Sequence, residues 1–409
     1  MQLNAPDTAF MLVATALVLI MTPGLAFFYG GLIGRKNVVT IMMQSFVSLG
    51  ITTVLWVTVG FSLCFGSDIG GIIGNPSDFF MMTGITPGAI YEGLGIPVYL
   101  FAVYQLMFAI ITPALITGAF ANRMTFKAYF TFLVGWQLLV YYPFVHMVWG
   151  GGWMAEFGVL DFAGGIVVHT IAGIAALATV FFLGKRRVSE PEPHNIPFVA
   201  LGTALLWFGW FGFNAGSALA VNEITTLAFI NTQIGGAFAG VTWMILDWKL
   251  KKKPTLVGFC VGAVAGLATI TPAAGFVAPQ GAMLIGILAG SIPYAAIMFR
   301  QKKNWDDALD VWGVHGIGGI VGILALGLLA TKEMNPGGAD GLFYGNASFF
   351  VTELVGVLVA IAWAFIVTYV LLWVINKITP VRVSDTDEQA GLDSALHGET
   401  AYIHARLVQ

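Results

Sequence analysis

Long apolar runs separated by short polar joints occupy almost the whole chain. Eleven runs stand out, at 8–33, 38–66, 97–121, 125–146, 161–183, 197–217, 226–248, 255–271, 281–299, 311–330 and 348–376. A helix of about 20 apolar residues crosses the hydrocarbon of a bilayer, so this pattern predicts an all-α polytopic membrane protein with eleven transmembrane helices. The first run has no basic segment before it and continues past Pro23 to Ile33, which reads as a first span and not as a cleavable signal. After residue 380 the chain turns polar. The expected organisation is a membrane domain over 1–380 and a cytoplasmic tail over 381–409.

The charged residues give the runs an orientation. Basic residues follow spans one, three, five, seven and nine and recur in the tail: Arg35 and Lys36, Arg123 and Lys127, Lys185 to Arg187, Lys249 to Lys253, Arg300 to Lys303, then Lys377, Arg382 and Arg406. Of the 18 Lys and Arg, 17 fall on this side and only Lys332 on the other, beside acids such as Asp68, Asp78, Glu92, Glu156 and Glu223. Basic loops stay in the cytoplasm. The N-terminus is therefore expected outside, the C-terminus inside, and the protein in the cell membrane. Composition agrees: 58% of residues are hydrophobic and 10% charged. The 51 glycines let helix backbones approach closely in lipid. No basic face suits nucleic acid. Cys64 and Cys260 lie in apolar runs and read as buried thiols.

Two of only six histidines break the apolar pattern, His169 in span five and His315 in span ten. An ionisable group at such depth normally faces a protein interior or a pathway. Asp161 to Leu177 aligns without gaps on Asp310 to Leu326 with seven of 17 positions identical, and GLAFFYGG from Gly24 echoes GWFGFNAG from Gly209. Two halves of five spans each, about 8–183 and 197–330, would have opposite orientation. Such inverted repeats place a site near the midplane. His169 lies eight residues from Asp161, about 12 Å along a helix, and His315 approaches from the other face. Asp161 reads as a helix N-cap that adds negative potential, with Asp310 in the same part at the cytoplasmic side. Two histidines without a third ligand make a poor metal site, and no cofactor is implied.

The segments HMVWGGG (His146 to Gly152), DFAGGIVVH (Asp161 to His169), WFGFNAGSA (Trp210 to Ala218) and DVWGVHGIGG (Asp310 to Gly319) resemble the ammonium transporter (Amt/MEP/Rh) family, in its Amt branch. The similarity extends through GLDSALHGETAY (Gly391 to Tyr402). It implies a homotrimer with one conduction path per subunit. It implies further that Trp149 and Ser217 form an outer ammonium site, that Phe108 and Phe213 stack as a gate, and that His169 and His315 are the twin pore histidines. Phe213 is anchored by GFNAGS, Phe108 by QLMFAIITPALITGAF. Without these motifs Trp149 would read as an interfacial residue and the two Phe as ordinary members of a set of 32. Trp312 stands where Phe is commoner in the family, which suggests a narrower or stiffer path near His315.

The chemistry follows from the cation. Ammonium and potassium share charge and size, so selection must use hydrogen-bond donation or acidity. A Trp face attracts a cation by up to about 2 kcal/mol when desolvated, and a Ser hydroxyl accepts a hydrogen bond that potassium cannot donate. Phe rings exclude water, and neutral imidazoles offer a donor and an acceptor in an apolar path. The expected function is ammonium/ammonia transport by deprotonation and passage along the histidine pair. An ammonium sensor built on the same fold is the rival; a longer reading frame after Tyr402 would favour it. An enzyme has no support in a nucleophile–base pair, nucleotide loop or metal triad. The resemblance also implies that the acidic tail packs beneath the membrane domain and can meet a PII-type signalling protein or a fused signalling domain. Rh-type gas conduction fits Trp149 and Ser217 less well.

Overall fold

A computed structural model describes residues 2–188 and 192–402. Among these, ten helices are long and apolar enough to cross a membrane: α1 Ala5–Leu32, α2 Val38–Phe65, α3 Val98–Phe120, α4 Phe126–Phe157, α5 Gly165–Leu183, α6 Ile196–Ala218, α7 Glu223–Lys251, α9 Pro279–Lys302, α10 Trp312–Leu329 and α11 Ala347–Ile378. The apolar run at 255–271 forms a shorter helix, α8, Leu256–Ile270, which by length alone falls below a full span. Every expected run thus contains a helix, and ten of them meet the length of a crossing. The segment after Tyr402, on which the transporter and sensor readings differ, lies outside the described residues, as does Arg406.

Local chemistry starts and interrupts these helices. Asn4, Thr125, Asn195, Asn222, Thr255 and Asn346 each accept a backbone N–H two or three residues into α1, α4, α6, α7, α8 and α11. In α1 the helix breaks at Ile20, three residues before Pro23, whose ring removes the N–H that would continue the ladder. Between α2 and α3 a two-stranded hairpin, β1 Asp68–Ile69 with β2 Ile73–Gly74, caps one end of the bundle.

Glycine sets the packing. α1 lies along α6, where a Cβ on Gly202 would sit 2.3 Å from the Phe28 nitrogen and one on Gly31 would sit 2.6 Å from the Asn195 carbonyl. The tightest crossing joins α5 to α10: a Cβ on Gly173 would fall 2.0 Å from the Gly316 nitrogen. Its counterpart is Gly319, whose Cβ would meet the Thr170 hydroxyl at 2.5 Å.

These contacts correct the register of the internal repeat. His169 and His315 are 146 residues apart and face one another. The same spacing exchanges Gly173 with Gly319 and Thr170 with Gly316, so the two glycine contacts are images of each other. It also pairs Gly164 with Asp310, which share left-handed backbone at φ +117° and +59°, and Asp161 with Asp307. The gapless match at Asp310 is therefore three residues out of structural register; small apolar residues at helical spacing inflate its identity.

The tail folds back over the helix ends. The Asp393 carboxylate accepts the Val39 and Thr40 N–H groups at 3.0 and 2.8 Å and thereby caps α2. Glu388 accepts from the Arg187 and Val188 N–H groups just past α5 and from Arg382.

The glycine crossing gives a first test. Gly173→Val forces a side chain into backbone, and overpacking of this kind costs about 1–3 kcal/mol or more. It should lower the melting temperature in detergent sharply. Gly50→Ala on α2, where a Cβ meets nothing within 4 Å, should hold or raise it. Equal melting of the two variants would remove the crossing from the account.

Candidate functional site

The site begins with two buried carboxylates that start helices. Asp161 accepts four N–H groups, from Gly164, Gly165, Ile166 and Val167, at 2.9, 2.6, 2.8 and 3.0 Å. Those are the orphan donors at the head of α5. Gly164 makes the left-handed turn that swings them onto the carboxylate. At the head of α10 the Trp312 N–H reaches Asp307 at 2.7 Å. Both helices open with a π-helical turn, Gly165–Thr170 and Trp312–Ile317, and each turn carries one histidine. Such widened turns occur mostly at functional positions. The Asp161 segment is further fixed by Glu353 on α11, fully buried, which accepts the Leu160 N–H at 2.8 Å.

His169 and His315 are 2% and 3% exposed and meet Nδ1 to Nδ1 at 3.2 Å, with rings inclined by 20°. One nitrogen must donate and the other accept, so a single proton lies between two neutral rings. His169 stacks on Trp210 at 5.5 Å and on Phe213 at 6.1 Å. The Trp210 indole N–H donates to the Thr271 hydroxyl at 2.9 Å, which fixes the plane under His169. A cavity of only about 10 Å³ runs beside the pair, walled by aliphatic and aromatic side chains such as Leu25, Phe28, Ile111 and Leu206. That is no more than one water-sized void.

On one side, Phe213 and Phe108 close the way with ring centroids 4.2 Å apart. Beyond them opens a cavity of about 420 Å³ lined by Phe108, Trp149, Asp161, Ser217, Gln105 and Glu92 among others. Trp149 stands edge-on to Phe108 at 6.0 Å, and its indole N–H is held by the Asp161 carbonyl at 2.9 Å. Ser217 lies in the tightened last turn of α6, Gly216–Ala218, and donates to the Phe213 carbonyl at 2.9 Å. Three residues before Trp149, the buried His146 ring spans the Cys64 carbonyl and the Asp68 carboxylate, each at 2.9 Å. That bond from His146, together with the Gly71 N–H, holds the Asp68 carboxyl below the usual carboxylate range. On the other side of the histidines a cavity of about 270 Å³ runs from His315 to Leu309, Asp310 and Lys251.

The residues singled out from sequence therefore gather along one line: Trp149, Ser217 and Asp161 around a cavity, Phe108 on Phe213, His169 on His315. Asp310 is the exception in role. Its carboxylate pairs with Arg300 at 2.6 Å and caps nothing; the helix start belongs to Asp307. The spacing of Asp161 to His169 recurs between Asp307 and His315, and that was the available signal. Trp312 packs against Trp305 at 5.6 Å and is not among the side chains lining either cavity beside His315. Trp210 walls the histidine site without a signal in the sequence, because an apolar residue in an apolar run carries no mark. Among the described residues no group of three or more His, Cys, Asp or Glu has metal-ligand geometry.

The two caps are separable by mutation. Loss of a cap costs about 0.5–2 kcal/mol. Asp307→Ala should fall in that range and Asp161→Ala, with four donors released, at or above its top. Asp310→Gly keeps the left-handed turn and should cost less than either. Thermal melts of the three purified variants check the order, and a larger loss for Asp310→Gly than for Asp307→Ala would reverse the assignment.

With this geometry described, comparison places the chain among known proteins. A sequence model of the Ammonium Transporter Family matches residues 9–402. The chain is 45% identical over 398 residues to an ammonium transporter of Bacillus subtilis, covering 97% of this chain and 98% of that one. It is 46% identical over 399 residues to ammonium transporter Amt1 of Archaeoglobus fulgidus, covering 97% and 99%. The crystal structure of Saccharomyces cerevisiae Mep2 superposes with a TM-score of 0.88 at 34% identity, covering 94% of this chain and 91% of that one. Matched over nearly its full length by sequence and by fold, the chain belongs to the Ammonium Transporter Family.

Proposed function

We propose that the protein carries ammonium selectively across the membrane by stripping it to ammonia inside the chain. The observation that carries this reading is the line of two cavities with a stacked Phe pair and a narrow apolar space at two hydrogen-bonded histidines between them. Its entry lies at Trp149 and Ser217, on the face that the basic residues leave to the outside. All eleven helices cross, with the N-terminus out and the tail in the cytoplasm. The cation is desolvated against the Trp149 face and donates to Ser217. A charge cannot continue through the Phe108–Phe213 stack into hydrocarbon without large cost. Ammonium can shed a proton there; potassium cannot.

Below the gate, ammonia meets alternating acceptor and donor nitrogens in an apolar wall. Because one proton lies between the two Nδ1 atoms, one ring presents a bare Nε2 and the other an Nε2–H. The pair can pass a proton by exchanging these roles. On this reading each subunit of a homotrimer carries its own conduction route. The tail contacts at Asp393 and Glu388 lie on the face where a PII-type partner would dock.

The test uses the full chain in liposomes on a capacitive sensor, pulsed with ammonium or potassium, with a pH dye inside. Expected is a saturable ammonium response, absent with potassium: a current where the proton crosses with the ammonia, or internal alkalinisation without current where the proton returns outward. His169→Ala and His315→Ala should each lower the ammonium current roughly tenfold or more. Phe213→Ala should let potassium produce a current. A folded protein that neither conducts nor shifts internal pH would defeat transport and favour a sensor.

A further inference from the structure

We propose that Tyr104 is a positioning residue for ammonium recognition: its hydroxyl fixes the Ser217 hydroxyl as an acceptor toward the cation. The inference rests on the reading of Ser217 as part of the entry site. Tyr104 on α3 is fully buried and does not line the cavity. Its hydroxyl lies 3.0 Å from the Gly212 carbonyl, 3.0 Å from the Phe213 carbonyl and 3.3 Å from the Ser217 hydroxyl oxygen. Ser217 in turn donates to the same Phe213 carbonyl at 2.9 Å.

Counting hydrogens gives the consequence. Each hydroxyl has one hydrogen and two acceptor lone pairs. The carbonyls of Gly212, which already accepts the Gly216 N–H, and of Phe213 each have two lone pairs. They take the hydrogens of Tyr104 and Ser217. With its only hydrogen committed inward, Ser217 keeps lone pairs for the cavity it lines. A cation with N–H donors finds an acceptor that needs no reorientation. Without the phenol oxygen beside it, the Ser217 hydroxyl could turn and point its hydrogen elsewhere.

The surroundings are shaped for this oxygen. A Cβ on Gly216 would fall 2.6 Å from the Tyr104 hydroxyl, so only glycine leaves room for it there. The Tyr104 ring stands edge-on to Phe108 at 5.1 Å, which holds the phenol in place from the gate side. One hydroxyl therefore touches both the recognition residue and the backbone of the gate residue Phe213.

Tyr104→Phe removes one oxygen and leaves the ring. It is compared with Ser217→Ala and the double variant in the full chain, reconstituted at equal amount, with ammonium currents recorded across concentration. A net hydrogen bond of ordinary strength corresponds to a rise in KM of about three- to tenfold. Expected is that rise in Tyr104→Phe with maximal current held within about twofold, a rise in Ser217→Ala, and no further rise in the double variant. A Tyr104→Phe KM equal to wild type, beside a raised one in Ser217→Ala, overturns the inference and leaves the recognition reading intact. An unchanged KM in Ser217→Ala overturns both. Additive effects would mean that Tyr104 acts independently of Ser217, and a loss confined to maximal current would mean a structural role; either result also overturns it.

Discussion

Backbone-to-backbone contact between Gly173 and Gly316 is the constraint on which the rest of the molecule depends. Two helices with ordinary side chains cross 8–10 Å apart. Here a Cβ on Gly173 would fall 2.0 Å from the Gly316 nitrogen, and beside this closer crossing the imidazoles of His169 and His315 sit 3.2 Å apart. The crossing removes side chains from both partners at the point where each helix is still within its first turns. Helix starts carry unpaired N–H groups that lipid cannot satisfy. Asp161 and Asp307 satisfy them and must then be buried themselves, and the outward-turned backbone at Gly164 and Asp310 follows from that geometry.

The apolar wall and the polar ends then divide the work. Hydrogen bonds hold the entry: Trp149 to Asp161, Ser217 to Phe213, His146 between Cys64 and Asp68. Beside the histidine pair, Trp210, held by its bond to Thr271, together with Phe213 and the aliphatic residues leaves no room for a hydrated ion. On the proposed mechanism, selectivity needs no tight cage for ammonium. It needs a place to lose water, a barrier to charge, and a chemistry available to one cation and denied to the other.

Much of this was readable in the sequence because it is written in contrasts. His169 and His315 stand out as ionisable residues in apolar runs, and Trp149, Phe213 and Asp161 sit in motifs of unusual residues. What stayed hidden lacks contrast. Asp307 was masked by Asp310, since glycine and isoleucine at helical spacing matched better three residues out of register. Trp210 is one aromatic among many. The hydroxyl of Tyr104 acquires meaning only from a carbonyl 109 residues away, which no local pattern encodes. The run at 255–271 reads as a span by its apolar character, yet its helical part, Leu256–Ile270, is shorter than a crossing.

The pseudo-symmetry of the two histidines has a consequence for direction. The 146-residue spacing exchanges His169 with His315 and Gly173 with Gly319, so the crossing and the imidazole pair are alike from both sides while their surroundings are not. His169 stacks on Trp210 and Phe213, whereas His315 opens on the cavity of Leu309, Asp310 and Lys251. On the proposed function, whatever distinguishes one direction of passage from the other lies in these unlike neighbours and not in the histidines themselves.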